Sequence, residues 1–232
     1  MKRLVNTIRL DLILQARNHL YVFAGVSTAV VAALIRWAIP ESLQTGALPL
    51  LLFGALSGTA YGFVGGMILF ERGERTLDAL TVTPLRRGEY ISSKLITLSG
   101  LGVLEGFLIV LLGYGLDFSW VLMGLGLFSG AVMYVIAGFI ISLRYDSVTN
   151  FLLTGMWFIV PMSIPAARLV GLWESPIFYL WPSYPPILLI QGAFSGLAAS
   201  DILYSLAMTA CTISLGILWA GRAYDRFVIG GR

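Results

Sequence analysis

The sequence predicts an all-α integral membrane protein with six transmembrane helices. An N-terminal amphipathic interfacial helix precedes them, and a proline-broken re-entrant helical hairpin separates spans five and six. Three observations lead there. Of 232 residues, 58% are hydrophobic and 12% charged, and the mean hydropathy is +0.87; soluble domains carry roughly 45–50% apolar and about 25% charged residues. The apolar residues gather in runs near the ~20 needed to cross a bilayer's hydrocarbon core. The few charges fall between those runs, with a strong bias to one side. A water-soluble globule is excluded, and residues 1–232 read as one transmembrane domain.

The elements follow in order. Residues 1–17 mix Leu4, Val5, Ile8 and Leu12, which share one helical face, with Lys2, Arg3, Arg9, Asp11 and Arg17; this pattern predicts a helix lying in the membrane interface. It lacks the uninterrupted apolar core of a cleavable signal peptide. Spans are predicted at about 19–39, 47–70, 95–116, 118–143, 150–167 and 202–220. Between the last two, residues 168–200 are apolar but broken by Pro176, Pro182, Pro185 and Pro186.

Charge decides how that broken segment is read. With six spans and both termini cytoplasmic, 13 of the 15 basic residues fall inside, leaving Arg36 and Arg168 outside. A seventh span would put Arg222, Arg226 and Arg232 on the wrong face. The segment is therefore expected to dip into the outer leaflet and return, which broken backbone tolerates where protein covers it. Trp173, Tyr179, Trp181 and Tyr184 are expected at headgroup level. A multi-pass cell (inner) membrane protein follows.

Within the spans, Gly54, Gly58, Gly62 and Gly66 recur every four residues and make a groove for close backbone approach. The groove serves either helix packing, within or between protomers, or a hinge or substrate-lining surface. Gly126 and Gly130 repeat the spacing more weakly. Glu105 is the one carboxylate well inside a predicted span, and ionisable groups at that depth are costly; it serves either a structural hydrogen bond or substrate or proton handling. Tyr61 and Trp157 border a possible substrate path or simply pack. Pro161 and Pro165 should kink or end the fifth span. One cysteine, Cys211, and one histidine, His19, leave no metal-ligand cluster.

The long hydrophilic run between spans two and three carries the functional signal. Residues 76–80 predict a short helix with Leu77 and Leu80 on one side, Pro84 stops it, and 85–94 predict a second helical piece entering span three. Two apolar knobs with a mixed-charge rim, held at the end of a span, suit receipt of force from a soluble partner. This run, from Glu71 through Pro84 to Lys94, resembles the signature between the second and third spans of the ABC type-2 permeases. The matching positions are Glu71, Glu74, Thr76, Leu77, Leu80, Pro84 and Lys94; Arg75 departs from the glycine common there. The interfacial helix, the six spans and the hairpin with Tyr184-Pro185-Pro186 fit the same plan.

The resemblance implies the permease subunit of an ATP-driven exporter of drug- or lipid-like cargo, dimeric with a second copy or a related chain and served by two ATP-binding subunits. The chain is then not itself an enzyme. The only lysines, Lys2 and Lys94, lie in no P-loop, so ATP and magnesium belong to the partner and no cofactor is expected on this chain. Membrane lipid is the other expected contact, for instance at Arg3, Arg9 and Arg17, which face either lipid phosphates or acidic groups of the partner. No nucleic-acid partner is expected. The alternatives are a haem-exporter-like membrane subunit, for which no His or Met constellation is apparent, and a proton-coupled secondary transporter using Glu105. A membrane enzyme lacks the paired carboxylates or Ser/His set it would need.

Overall fold

A computed structural model describes residues 2–74, 86–171, 173 and 175–230. These residues form helices and no strand. Helix α1 (Lys2–Arg17) ends at a turn where His19 takes the left-handed conformation, φ 59°. Then come α2 (Leu20–Ala38), α3 (Glu41–Gly73), α4 (Arg87–Gly113) and α5 (Trp120–Ser142). They are followed by α6 (Val148–Ser163), α7 (Tyr184–Ser195) and α8 (Ala199–Tyr224). Among the described residues six helices are long and apolar enough to cross a membrane: α2 to α5, α6 with its extension to Leu169, and α8 with its extension to Val228. The expected helical start of span three merges with the span itself, as one helix from Arg87.

Both chain ends lie at the same end of the bundle. Arg17 on α1 pairs with Glu74 at the end of α3, 3.1 Å, and Arg87 at the start of α4 pairs with Asp225 just past α8. Arg72 reaches across to the end of α5, donating to the carbonyls of Leu143 (2.9 Å) and Tyr145 (2.8 Å) and pairing with Asp146 at 2.7 Å. A guanidinium on the last carbonyls of a helix satisfies orphan acceptors and meets the negative end of the helix dipole.

At the opposite end, the helix of the hairpin packs along the first half of α5. Pro186 stands against Gly130 and Ile190 against Gly126, while the Ser119 amide donates to the Ala193 carbonyl at 2.8 Å. Helix α7 thus runs antiparallel to α5 from Gly130 to Ser119. Eleven helical residues rise about 16 Å, roughly half of a ~30 Å hydrocarbon core. Tyr184 departs from its expected place at the headgroups: it is 2% exposed and packs with Phe178 and Tyr204.

The proline effect on span five is local. Pro165 has no amide to donate to the Pro161 carbonyl, so the α-helix tightens to 3-10 geometry over Ile164–Val170. The Trp181 indole N–H, from the hairpin, donates to that carbonyl at 3.0 Å.

Candidate functional site

Two places combine polar chemistry with position. The first lies where α1, α3 and α4 meet at the termini end. Helix α1 is amphipathic in an inverted sense: Val5, Leu10, Leu12 and Ile13 point outward, while Asp11 (2% exposed) and Gln15 (0%) point into the bundle. An outward apolar face suits the interface; the inward polar face requires partners, because a buried charge without one is costly.

Lys94, fully buried on α4, supplies the countercharge. Its Nζ pairs with Asp11 at 2.6 Å and with Glu71 of α3. The Tyr90 hydroxyl donates to Glu71 Oε2 at 2.5 Å, and the Ser93 hydroxyl donates to Asp11. Tyr90 and Ser93 precede Lys94 by four residues and one, so the start of α4 carries three of the five groups. Lys94 also stands 5.3 Å from the Tyr90 ring centroid. One ammonium between two carboxylates leaves a surplus negative charge, which the two hydroxyl donors help to hold.

This geometry changes the place of two residues expected at a docking surface. Glu71 and Lys94 are buried, 7% and 0% exposed, and touch other helices of the same chain. Glu74 is exposed and held by Arg17. Thr76, Leu77, Leu80 and Pro84 lie outside the described residues, in the run that leaves α3 at Glu74 and enters α4 by way of Arg86. Helix α4 begins with the Arg86 amide donating to Glu89 Oε2 at 3.0 Å. The buried network therefore joins the two roots of that run to each other and to α1. Asp11 was missed as a site residue; an acidic group among the polar residues of an otherwise basic amphipathic helix was its signal.

The second place is a groove of about 530 Å³ between α2 and α3, lined by Phe23, Ser27, Val31, Gly54, Gly58 and Thr59 among others. A Cβ added at Gly54, Gly58 or Gly62 would meet nothing within 4 Å, and at Gly66 only a side chain of its own helix. Among the described residues the glycine stripe is open, so of the uses expected for it, packing within the protomer is not the one it serves. Close contacts are made at other glycines, among them Gly65, where a Cβ would run into the Phe151 ring, Gly126, where it would lie 2.9 Å from the Ile190 amide nitrogen, and Gly155, 2.6 Å from the Tyr61 ring.

Thr59 sits in a π-helical turn of α3, Ser57–Tyr61, a local widening that often marks functional sites. Beside this turn is Glu105 of α4, 2% exposed. Its neighbours are the Thr59 and Ser27 hydroxyls, the same two that line the groove. Thr59 already donates to the Ala55 carbonyl at 3.0 Å, and neither Glu105 oxygen accepts a well-formed hydrogen bond among the described residues.

Tyr61 is 1% exposed, stacked on Phe151 at 4.6 Å with its hydroxyl donating to the Phe151 carbonyl at 3.4 Å. It packs α3 against α6 and does not line the groove. Trp157, 84% exposed, faces outward from α6. Among the described residues no cluster of three His, Cys, Asp or Glu side chains forms a metal site.

Comparison with known proteins places this arrangement in a family. Residues 2–232 match the model of the fluoroquinolones export permease protein family. Two fluoroquinolones export permease proteins of Mycobacterium tuberculosis, from strains CDC 1551 / Oshkosh and ATCC 25618 / H37Rv, are each 31% identical over 236 residues, covering 99% of this chain and 98% of theirs. A family match over essentially the whole chain, joined to six membrane-length helices among the described residues, shows a multi-pass membrane permease: the chain belongs to the fluoroquinolones export permease protein family.

Proposed function

We propose that this chain is the membrane subunit of an ATP-driven ABC exporter. In this reading it moves an amphipathic drug, of the fluoroquinolone kind named for its relatives, out of the cell. The observation that carries the coupling reading is the buried network of Asp11, Glu71, Tyr90, Ser93 and Lys94. It makes the roots of the 75–85 run one rigid unit with the interfacial helix. A force applied to that run by a docked ATP-binding subunit then moves α1, α3 and α4 together instead of bending a loop.

The basic end, which carries both termini, faces the cytoplasm in this reading, and two ATP-binding subunits dock there. A second permease copy pairs with this one, and the open glycine stripe of α3 with its adjoining groove supports a surface used between copies or by cargo. Glu105, underpaired behind that groove, supplies a counter-charge for a cargo's basic nitrogen, and the apolar walls take its ring system.

The experiment is to replace Leu77 and Leu80 by Asp and to measure drug export together with ATP hydrolysis by the assembled complex. Export is expected to fall at least tenfold while the permease remains in the membrane. Export unchanged in that variant rejects the coupling role of the run.

A further inference from the structure

A second membrane-facing feature has no part in the reading above. Between α5, α6 and α8 lies a crevice of about 490 Å³, lined by Met133, Ile136, Met162, Met208, Cys211 and Trp219 among others. Thr212 supplies the single hydroxyl of its lining. Three methionines give adaptable, polarizable walls. The volume is that of a drug-sized site, yet a zwitterionic drug buried there would lose hydration at both charges with no charged side chain in the lining to replace it. An alkyl chain makes no such demand.

Below the crevice the chemistry reverses. Helices α5 and α8 run in the same direction, with Ile136 set against Gly216. Arg144 stands two residues past the end of α5 and three past Ile141 at the crevice's lower edge. Its guanidinium carbon is 5.8 Å from the Phe227 ring centroid, and that of Arg226 is 5.5 Å from the same ring. Both arginines are exposed. The nearest carboxylates in sequence are engaged elsewhere, Asp146 with Arg72 and Asp225 with Arg87. Among the described residues neither Arg144 nor Arg226 forms an ion pair. Both guanidiniums neighbour one aromatic ring, a contact that leaves their N–H groups available to an anion.

We propose that this face is a binding site for an anionic phospholipid from the leaflet at the termini end of the bundle. The phosphate lies on Arg144 and Arg226, and one acyl chain runs up the methionine-lined crevice. Two exposed arginines just past the ends of α5 and α8, beyond an apolar crevice between the same helices, offer a single lipid of that charge a partner at both of its ends. The site lies on α5, α6 and α8, away from the α2–α3 groove, so lipid occupancy and cargo occupancy are separate events.

The sole cysteine of the chain, Cys211, lines the crevice and is exposed, so its alkylation reports occupancy directly. The full-length permease in detergent is titrated with dioleoyl phosphatidylglycerol or dioleoyl phosphatidylcholine, and the rate of Cys211 labelling by N-ethylmaleimide is followed. Phosphatidylglycerol is expected to protect Cys211 at a lower mole fraction than phosphatidylcholine, by about fivefold for each arginine engaged. The R144Q/R226Q variant is expected to protect equally with both lipids. In A137F, which fills the crevice, labelling is expected to be slow without lipid and unchanged by adding it. Equal protection of the wild type by the two lipids overturns the proposal. So does a preference that survives R144Q/R226Q, or loss of the ATP-binding subunit from R144Q/R226Q with the lipid preference intact, which assigns the face to that partner.

Discussion

At the residue scale, Lys94 is the group on which most of the polar interior depends. Removing one partner of a buried ion pair strands the others and costs about 3–5 kcal/mol, and here two carboxylates would be stranded at once. Lys94→Met is therefore expected to lower the melting temperature of the detergent-purified protein strongly, and the triple variant D11N/E71Q/K94M to recover part of the loss. A K94M protein as stable as wild type contradicts the network. Glu105 belongs to a different kind of prediction. Glu105→Gln keeps size and hydrogen-bonding capacity while removing the charge, so folding should be intact while export of a cationic amphiphile falls about tenfold and export of an uncharged one is little changed. Equal loss for both cargoes would indicate a structural carboxylate. The sequence marked Lys94, Glu71 and Glu105 as special, through a family signature and through depth in a span. It did not reveal that Glu71 and Lys94 face inward, because the orientation of a side chain at a helix end depends on which helix packs there, and Asp11 arrives from 83 residues away.

At the element scale, periodicity located the helices but not which of their faces are covered. The stripe from Gly54 to Gly66 has the stronger spacing and no covering helix, whereas Gly126 and Gly130, the weaker pair, receive α7. Spacing records that a backbone can be approached, and only the fold determines what approaches it. The two sites should respond oppositely to added volume. Gly126→Leu would have to displace the Ile190 backbone and is expected to cost about 1–3 kcal/mol or more, seen as a lowered melting temperature. Gly58→Ala, with open space at its Cβ, should leave the melting temperature unchanged or slightly raised, since alanine favours the helix by about 1 kcal/mol. Equal destabilisation by the two would mean that a helix covers the α3 stripe within the chain. The inverted amphipathicity of α1 follows the same logic: its apolar positions were legible as a surface-seeking face, while its attachment to the bundle runs through Asp11 and Gln15, which composition alone assigns to water.

At the scale of the whole molecule, charge placement carried the most information. The even number of spans inferred from the basic residues agrees with the six membrane-length helices among the described residues, and the proline-rich segment that charge refused as a seventh span contains a 12-residue helix packed against α5. Arg17, Arg72, Arg87 and Lys94 are then used as cross-ties at one end of the bundle, a purpose that the orientation rule does not contain. In the proposed complex, the exposed members of that set, Arg17 and Arg87, would face the docked ATP-binding subunit. The central claim is that export is driven by ATP through a separate subunit. Its most direct test is drug movement across proteoliposomes holding this chain, with and without its ATP-binding partner. The account predicts movement only with the partner and ATP together; movement driven by a proton gradient in vesicles containing this chain alone would contradict it.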